Sequence, residues 1–221
     1  RYDNLIGNYQ KQIQLLEEAT QRIYKEWFVD FRFLGYKHVK VIDGIPEGWE
    51  KRCVGEFIEK IPRTKQIQSS EILEKGKIPV IDQSRNFIAG YTDDIESLVK
   101  YNHPIIVFGD HTRILKYIQF PFAKGADGTQ LILSNDLNRM PQSLFYLSLL
   151  NIDLSNYSYA RHFKYLKAEN ILTPDEYIAK YFDNIVSKYL YKIQNCRNLI
   201  IRLSEARDRL LPKLINGEIE V

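Results

Sequence analysis

The last forty or so residues of the chain carry a heptad pattern, and no other feature of the sequence restricts the fold as strongly. Two mainly apolar seams recur at seven-residue intervals over about four heptads, which is typical of helices that pack along their length. The seams are Val186, Ile193, Ile200, Arg207 and Leu214, and Phe182, Tyr189, Cys196, Leu203 and Leu210. A long helix that is polar on its other faces cannot bury such a stripe against itself, so the pattern predicts a helical partner.

The first thirty residues have the same spacing and supply a candidate partner. With a shift of 187 positions, Ile193 aligns with Ile6, Ile200 with Ile13 and Glu205-Ala206 with Glu18-Ala19. The sequence therefore predicts a repeated helix, with about 140 residues of different character between its copies. Arg207 is a charged residue at a core-type position, where such residues fix register or dock a partner. The residues expected to join the helices or to dock a partner are Tyr9, Ile13, Leu16, Ile23, Tyr189, Ile193, Ile200, Leu203, Arg207 and Leu210.

Length and composition predict one globular domain with a helical appendage, because 221 residues with 44% hydrophobic content can bury a core. The sequence shows neither a run of about 18 apolar residues nor a secretory leader, so we expect a cytoplasmic protein with no membrane partner. The chain begins at Arg1 in mid-pattern, which leaves open whether it is a fragment of a longer protein. The formal charge of +3 permits nucleic-acid binding without arguing for it.

The pattern between the helices changes from helical to strand-like. The short β-rich runs are 78–81, 104–108, 114–118 and 130–133, and helical spacing over 141–151 predicts one intervening helix. We therefore expect a mixed α/β domain with a sheet core over residues 46–172, preceded by a helix and linker over 1–45 and followed by the second helix over 173–221. The aromatic cluster from Trp27 to Phe33 is expected to pack the first helix onto this domain.

In five loops of the central domain, Arg or Lys occurs together with amide, hydroxyl, imidazole or aromatic side chains; the loops are residues 63–65, 83–86, 111–113, 124–129 and 159–164. Lys and Arg neutralise phosphates, while Arg, Asn and Gln form bidentate bonds with base edges, so the mixture suits a reader of double-stranded DNA. We expect Asn86 and Gln83 to read bases. Ordinary polar loops remain an alternative, and Gly125 and Gly128 also fit the turn of a hairpin between the Tyr117 and Leu131 strands. The candidate DNA contacts are Arg63, Lys65, Gln83, Arg85, Asn86, His111, Arg113, Lys124, Thr129, Tyr159, Arg161 and Lys164.

The sequence contains no common catalytic motif. It has no nucleophile elbow, no phosphate-binding glycine loop and no dinucleotide fingerprint. The four histidines are dispersed and the two cysteines suggest neither a disulfide nor a zinc site. We therefore expect a non-enzymatic chain that binds no metal or cofactor, although a nuclease with dispersed carboxylates stays open on the residues alone.

The chain resembles, over essentially its whole length, one half of the specificity (S) subunit of type I restriction-modification systems. The terminal run 207–219 and its repeat relation to Leu16-Glu17-Glu18-Ala19 carry this resemblance. Further matches are Ile45-Pro46-Glu47-Gly48-Trp49, which looks like the entry to a target recognition domain, and the loops 109–113 and 125–129 inside it. A full subunit alternates recognition domain and conserved helix twice, whereas this chain has helix, domain and helix. The resemblance therefore implies either a C-terminal half or a natural half-subunit.

The resemblance also implies a function and a set of partners. The domain would read one half of a split DNA sequence, and the two helices would form an antiparallel coiled coil that docks methyltransferase (M) subunits. A motor-nuclease (R) subunit would join later, and S-adenosylmethionine, ATP and Mg²⁺ would be used by these partners. A half-subunit would self-associate through its helices.

The helix over 174–216 would be about 60 Å long, more than one DNA turn of about 34 Å, so it could act as a ruler between two readers. Two other functions remain open: a helical scaffold or adaptor whose globular domain binds protein, and the specificity module of a bifunctional restriction enzyme.

Overall fold

A computed structural model describes residues 2–126, 128–157 and 161–216, with the side chains of 214 and 215 excepted. It contains a pair of long helices at the chain ends, α1 (Tyr2–Tyr24) and α4 (Glu176–Ile215). A π-helical turn, Lys25–Val29, extends α1. The long helices contact each other along their length: Asp3 meets Arg207, Gln12 meets Cys196 and Tyr24 meets Phe182. Because early residues of α1 face late residues of α4, the pair is antiparallel. The predicted helical pair is confirmed.

The buried stripe of α4 departs from a strict heptad. Phe182, Val186, Leu190 and Ile193 are buried, whereas Tyr189 is half-exposed. Steps of four, four and three residues follow the 3.6-residue period of a straight helix more closely than a 3.5-residue repeat. The heptad pattern therefore predicted that Tyr189 would be buried in this stripe, whereas the structure buries Leu190 instead.

Eleven short strands form the sheets of the described residues. Their bounds are β1 Val41–Ile42, β2 Ile45–Pro46, β3 Glu50–Cys53, β4 Ile78–Ile81, β5 Gly90–Thr92, β6 Leu98–Val99, β7 Ile105–Gly109, β8 Leu115–Ile118, β9 Phe122–Lys124, β10 Thr129–Ile132 and β11 Asn170–Thr173. The main sheets have the orders β5-β4-β9-β6 and β10-β7-β8, and the pairs β11-β3 and β1-β2 are smaller. All four predicted strand runs are strands, so the mixed α/β prediction is confirmed.

Two further helices complete the domain, α2 (Gln142–Leu150) and α3 (His162–Ala168). The predicted helix over 141–151 is confirmed as α2. The segment expected to be a loop around Lys164 is instead the start of α3, because its short run of buried His162 and Leu166 follows helical spacing.

The proposed hairpin between the Tyr117 and Leu131 strands is wrong. Strands β8 and β10 lie on opposite sides of β7, and between them the chain crosses to the other sheet, where β9 pairs in parallel with β4. Gly128 has a φ of +77°, and a Cβ there would lie 2.8 Å from the His111 ring. A Cβ on Gly125 would lie 2.7 Å from Asp82. Both glycines are needed because neighbouring loops approach the backbone closely.

Pairing of the first and last domain strands explains why the two long helices emerge together. In β3 and β11, Glu50 lies opposite Thr173, so the ends of the domain are adjacent. The aromatic residues after α1 close this junction: the Phe28 ring is 5.3 Å from Trp49 and 5.0 Å from Phe182. The expectation that this cluster packs the helix onto the domain is confirmed. The described helices include none that is long and apolar enough to cross a membrane.

Candidate nucleic-acid interface

The loops singled out by their polar composition leave the two main sheets at the same end. In the parallel pair of β4 and β9, Ile81 lies opposite Lys124, so the segments that follow both strands are neighbours. In the antiparallel pair of β7 and β10, Gly109 lies opposite Thr129. The loops 82–86 and 110–114 consequently meet the residues 125, 126 and 128 at one edge.

Direct hydrogen bonds join these loops. The backbone N–H of His111 donates to Gln83 Oε1 at 3.1 Å, and the Thr112 hydroxyl donates to the Gln83 carbonyl at 2.8 Å. The Asp110 N–H donates to the Gly128 carbonyl at 2.7 Å. A side chain at Gly109 would collide with Thr112 and Gln83. Gln83, expected to read bases, is half-buried and holds two loops together through these bonds.

The first turn of α3 is attached to the same edge. His162 is buried, with Nδ1 2.9 Å from the Asp110 carbonyl and Nε2 2.7 Å from the Tyr157 carbonyl. The Phe163 N–H donates to Asp110 Oδ1 at 2.7 Å. These contacts place Arg161 and Lys164, both exposed, beside the other loops. Asp110 and His162 therefore position this edge, and neither was among the residues predicted to contact DNA.

The fifth segment, residues 61–67, runs alongside the end of β9. Ile67 donates its N–H to the Lys124 carbonyl at 3.0 Å and accepts from the Ala126 N–H at 2.9 Å. Arg63 and Lys124 line a cavity of about 190 Å³ together with Thr64, Gln66 and Gln130. No acidic residue lies among the described residues that line it. Burial, and then the charge of Arg63, hold the pKa of Lys124 below its ordinary value. The described lining of this cavity therefore carries two cations and no carboxylate.

Two candidate residues are engaged or buried within the protein. The Lys65 ammonium lies 2.6 Å from Asp94 Oδ2, and this hydrogen bond raises the pKa of Lys65 and lowers that of Asp94. Its charge is thus already balanced. Thr129 is 1% exposed and its hydroxyl donates to the Ala126 carbonyl at 3.2 Å, so it shapes the loop and cannot reach DNA in this conformation. Tyr159 lies outside the described residues.

Arg113 and Arg85 contact different parts of the protein. Arg113 has a φ of +61° and its guanidinium donates to the Leu154 carbonyl at 3.1 Å. Arg85 is exposed and lines a cavity of about 340 Å³ between the domain and the long helices, together with Glu17 and Arg197. Asn86 and His111 are exposed at the loop tips. The edge therefore presents cations, amides and an imidazole to solvent.

Lys116 and Arg197 are site-associated residues that sequence reasoning missed. Lys116 is buried in β8 and its ammonium reaches back into the 82–86 loop. Arg197 of α4 lies 2.9 Å from Glu17 of α1, and its guanidinium stacks 3.9 Å above the Phe87 ring. A lysine inside the apolar run Ile114-Leu115-Lys116-Tyr117-Ile118 was the available signal for the first. The residues around Arg197 give no comparable signal, since its contact Phe87 is far away in sequence.

The residues expected to join α1 and α4 differ in their burial. Ile193 is buried, whereas Tyr9, Ile13, Leu16, Ile23, Ile200, Leu203 and Leu210 are partly exposed. Arg207 donates to Asp3 at 2.8 Å and to Asp208 at 2.9 Å. Within the described ranges, no group of three or more His, Cys, Asp or Glu side chains is arranged to hold a metal.

Comparison with known proteins gives consistent findings. The family model described as the type I restriction modification DNA specificity domain matches residues 46–185. The MjaIX specificity subunit of a type I restriction enzyme from Methanocaldococcus jannaschii is 28% identical over the whole chain, which covers 56% of that protein. The EcoR124I/EcoR124II specificity subunit from Escherichia coli is 26% identical over 45% of the chain, and the match covers 25% of that protein.

A solved structure shares the fold. The S subunit of a type I restriction-modification system from M. genitalium superposes with a TM-score of 0.69 at 17% identity, over 96% of this chain and 57% of that one. The chain thus spans about half the length of the first curated relative and of this structural neighbour.

Proposed function

Because the chain belongs to the type I restriction modification DNA specificity family, we propose that its one target recognition domain, residues 46–172, reads double-stranded DNA through the loop edge. Members of this family supply specificity and are not catalytic. The methyl transfer and ATP-driven cleavage of the complete system, with S-adenosylmethionine, ATP and Mg²⁺, would belong to partner subunits.

The observation that carries this proposal is the convergence of five polar segments at one edge, held by hydrogen bonds between their backbones and buried side chains. A rigid arrangement suits base reading, because a contact discriminates between bases only when its donors and acceptors are held in place. The exposed cations at this edge are the phosphate contacts of the proposal, with Arg63 and Lys124 as the pair most in need of an anion. Arg85 and Asn86 at the loop tip are the proposed base readers.

A salt titration of DNA binding tests this proposal. Each phosphate contact releases condensed cations, so the logarithm of the binding constant should fall linearly with the logarithm of salt concentration. The chain is titrated with a random-sequence 40-bp duplex library, and the double variant Arg63→Ala/Lys124→Ala should reduce the slope by about two. Lys65→Ala is the matched control, since its charge is already paired with Asp94. A flat salt response would contradict the proposal and favour a protein-binding scaffold.

The pKa of Lys124 adds a pH test of the same cavity. Burial lowers this pKa in the free protein, and a bound phosphate would raise it again, so DNA binding would take up a proton. Affinity should then fall as pH rises toward the ordinary lysine pKa of about 10.4. The Lys124→Arg variant should lose this part of the pH dependence because arginine stays charged. Equal alkaline profiles for the two proteins would argue against phosphate contact at Lys124.

The long helices are proposed to dock methyltransferase subunits and to separate two readers of a bipartite target. The second reader would come from the rest of a longer subunit or from a second copy that associates through the helices. The supporting observation is that α4, at about 1.5 Å per residue, is about 60 Å long and exceeds one DNA turn.

Deletion of one heptad from both helices tests the ruler. Residues 5–11 and 198–204 face each other in the antiparallel register, and their removal leaves Arg207–Asp3 and Arg197–Glu17 at matching positions. Seven residues shorten the rod by about 10 Å, so the spacer between half-sites should shrink by about 3 bp while the half-site sequences stay the same. Methylation mapping in the assembled complex measures the spacer. An unchanged spacer would contradict the ruler.

A further inference from the structure

The loop 82–86 is closed around a single buried ammonium. Lys116 lies in β8 and its side chain is 4% exposed. Its Nζ donates to the Asp82 carbonyl at 2.8 Å and to the Asn86 carbonyl at 2.5 Å. Asp82 Oδ1 lies 3.6 Å away. Two carbonyls four residues apart can reach one nitrogen only if the chain between them curls, so the ammonium holds the loop in this shape.

The same loop is held at two other points. The Ser84 N–H and hydroxyl both donate to Asp82 Oδ1, at 3.0 and 2.6 Å. The Thr112 hydroxyl donates to the Gln83 carbonyl at 2.8 Å. These hydrogen bonds hold the backbone of the 82–86 loop, and the side chains of Arg85 and Asn86 are exposed at the edge. Lys116 therefore supports the residues that face solvent and is itself out of their reach.

Burial of a lysine removes its ammonium from water, and this desolvation destabilises the folded state. Burial lowers the pKa of Lys116 even though Asp82 is nearby, which shows that desolvation outweighs the ion pair. Apolar residues of similar length often serve the stability of a core equally well or better. The position of the charge under one loop, with its donors directed at that loop, is consistent with a role in specificity.

We propose that Lys116 is a positioning residue for sequence discrimination, which fixes the shape of the 82–86 loop without touching DNA. This inference rests on the proposed function, since it requires that the loop face DNA. It separates two kinds of lysine at the site: Lys124 acts on phosphates and sets affinity, whereas Lys116 acts on the backbone of a reading loop and sets selectivity.

The test compares Lys116→Met with the wild-type chain and with Lys100→Met, an exposed lysine at the other end of the sheets. A random-sequence 40-bp duplex library is selected on the wild-type chain, and the affinities for the enriched duplex and for a scrambled duplex are measured. In Lys116→Met the ratio of these affinities should fall by about tenfold, the discrimination of about one base pair. The salt slope should stay unchanged because Lys116 meets no phosphate. Lys116→Arg, which keeps a donor, should recover part of the ratio, and Lys100→Met should match the wild type.

Hydrogen exchange at the backbone amides of 83–87 reports on the loop without DNA. It should be faster in Lys116→Met than in either the wild type or Lys100→Met. If Lys116→Met does not fold, Lys116→Gln is measured in the same way and should show a smaller change in the same direction. An unchanged affinity ratio in folded Lys116→Met, even with faster exchange, or a salt slope reduced by about one, would overturn the proposal. If the wild-type chain shows no sequence preference, the proposed function fails, and the exchange measurement alone then decides whether Lys116 orders the loop.

Discussion

The inner and outer halves of the helical rod share one sequence pattern but have different surroundings. In the inner half, residues 16–29 and 178–197, Phe182 and Val186 are fully buried. In the outer half, residues 2–13 and 198–213, Ile200 and Leu203 sit at equivalent heptad positions and are partly exposed. Exposed leucines also accumulate there: Leu5, Leu199 and Leu211 are 40%, 37% and 51% exposed.

The difference arises from a third layer. In the inner half, α2 packs against both long helices, and Ser143 of α2 donates to Asp183 at 2.6 Å. Among the described residues, the outer half consists mainly of α1 and α4 packed against each other, and a pair of helices leaves part of an apolar stripe exposed. A heptad pattern therefore predicts that a helix packs against other helices. The number of those helices depends on the tertiary structure. Under the proposed function, methyltransferase subunits would supply the missing layer of the outer half.

Phe182→Ala should produce the largest effect, because it tests the inner half at its centre. The Phe182 ring lies within 5.0 to 6.4 Å of the rings of Phe28, Trp27 and Tyr24, and its side chain is fully buried. Loss of the ring should lower the free energy of unfolding by about 3–5 kcal/mol. Urea unfolding followed by circular dichroism measures it. A loss as small as that of an outer-half leucine would remove the distinction between the halves.

Arg197→Ala should have an intermediate effect at the boundary of the two halves. The substitution removes the ion pair with Glu17 and the stacking on Phe87, so we expect a loss of about 1–2 kcal/mol. Amide exchange around Phe87 should also become faster. Lys192→Ala, an exposed cation on the same helix, is the control. If both variants behave alike, Arg197 does not connect the rod to the recognition loop.

Leu203→Ala should cost the isolated chain only about 1 kcal/mol, since its side chain is partly exposed before the substitution. Under the proposed function, the same variant should weaken assembly with methyltransferase subunits, which size-exclusion chromatography of the mixed proteins would detect. Leu211→Ala, at a more exposed site, serves as the comparison. A cost comparable with that of Phe182→Ala would show that the outer half is as well packed as the inner half.

Arg207→Ala should leave the stability of the isolated chain without measurable change. Its ion pair joins Asp3, which is 77% exposed, and solvent screens such pairs strongly. Any effect should appear only on assembly with partner subunits, and calorimetry of the chain alone followed by titration of the complex separates the two cases. Clear destabilisation of the isolated chain would assign Arg207 a core role in the pair.

Features that depend on residues close in sequence were predictable, whereas features that depend on contacts between distant segments were not. Strands β4, β7, β8 and β10 and helix α2 were predicted because periodicity within ten residues reports on them. The loop residues were predictable as a chemical class, since Arg, Lys and amides suit DNA. Their states were not: Lys65 is paired with Asp94, Thr129 is buried and Gln83 joins two loops. The Lys65–Asp94 pair and the His111–Gln83 bond join segments that are distant in sequence, and the burial of Thr129 depends on how the sheets pack.

The sequence by itself determined that the chain has a repeated amphipathic helix at each end, a strand-rich domain between them and polar loops suited to DNA. These properties are local or periodic, so composition and spacing express them directly. Only the tertiary structure decided that the loops meet at one edge, that Lys116 closes one of them, and that half of the rod is covered while half is not. The reason is physical: convergence, burial and charge balance are properties of contacts between distant segments, and they exist only once the sheets and helices have packed.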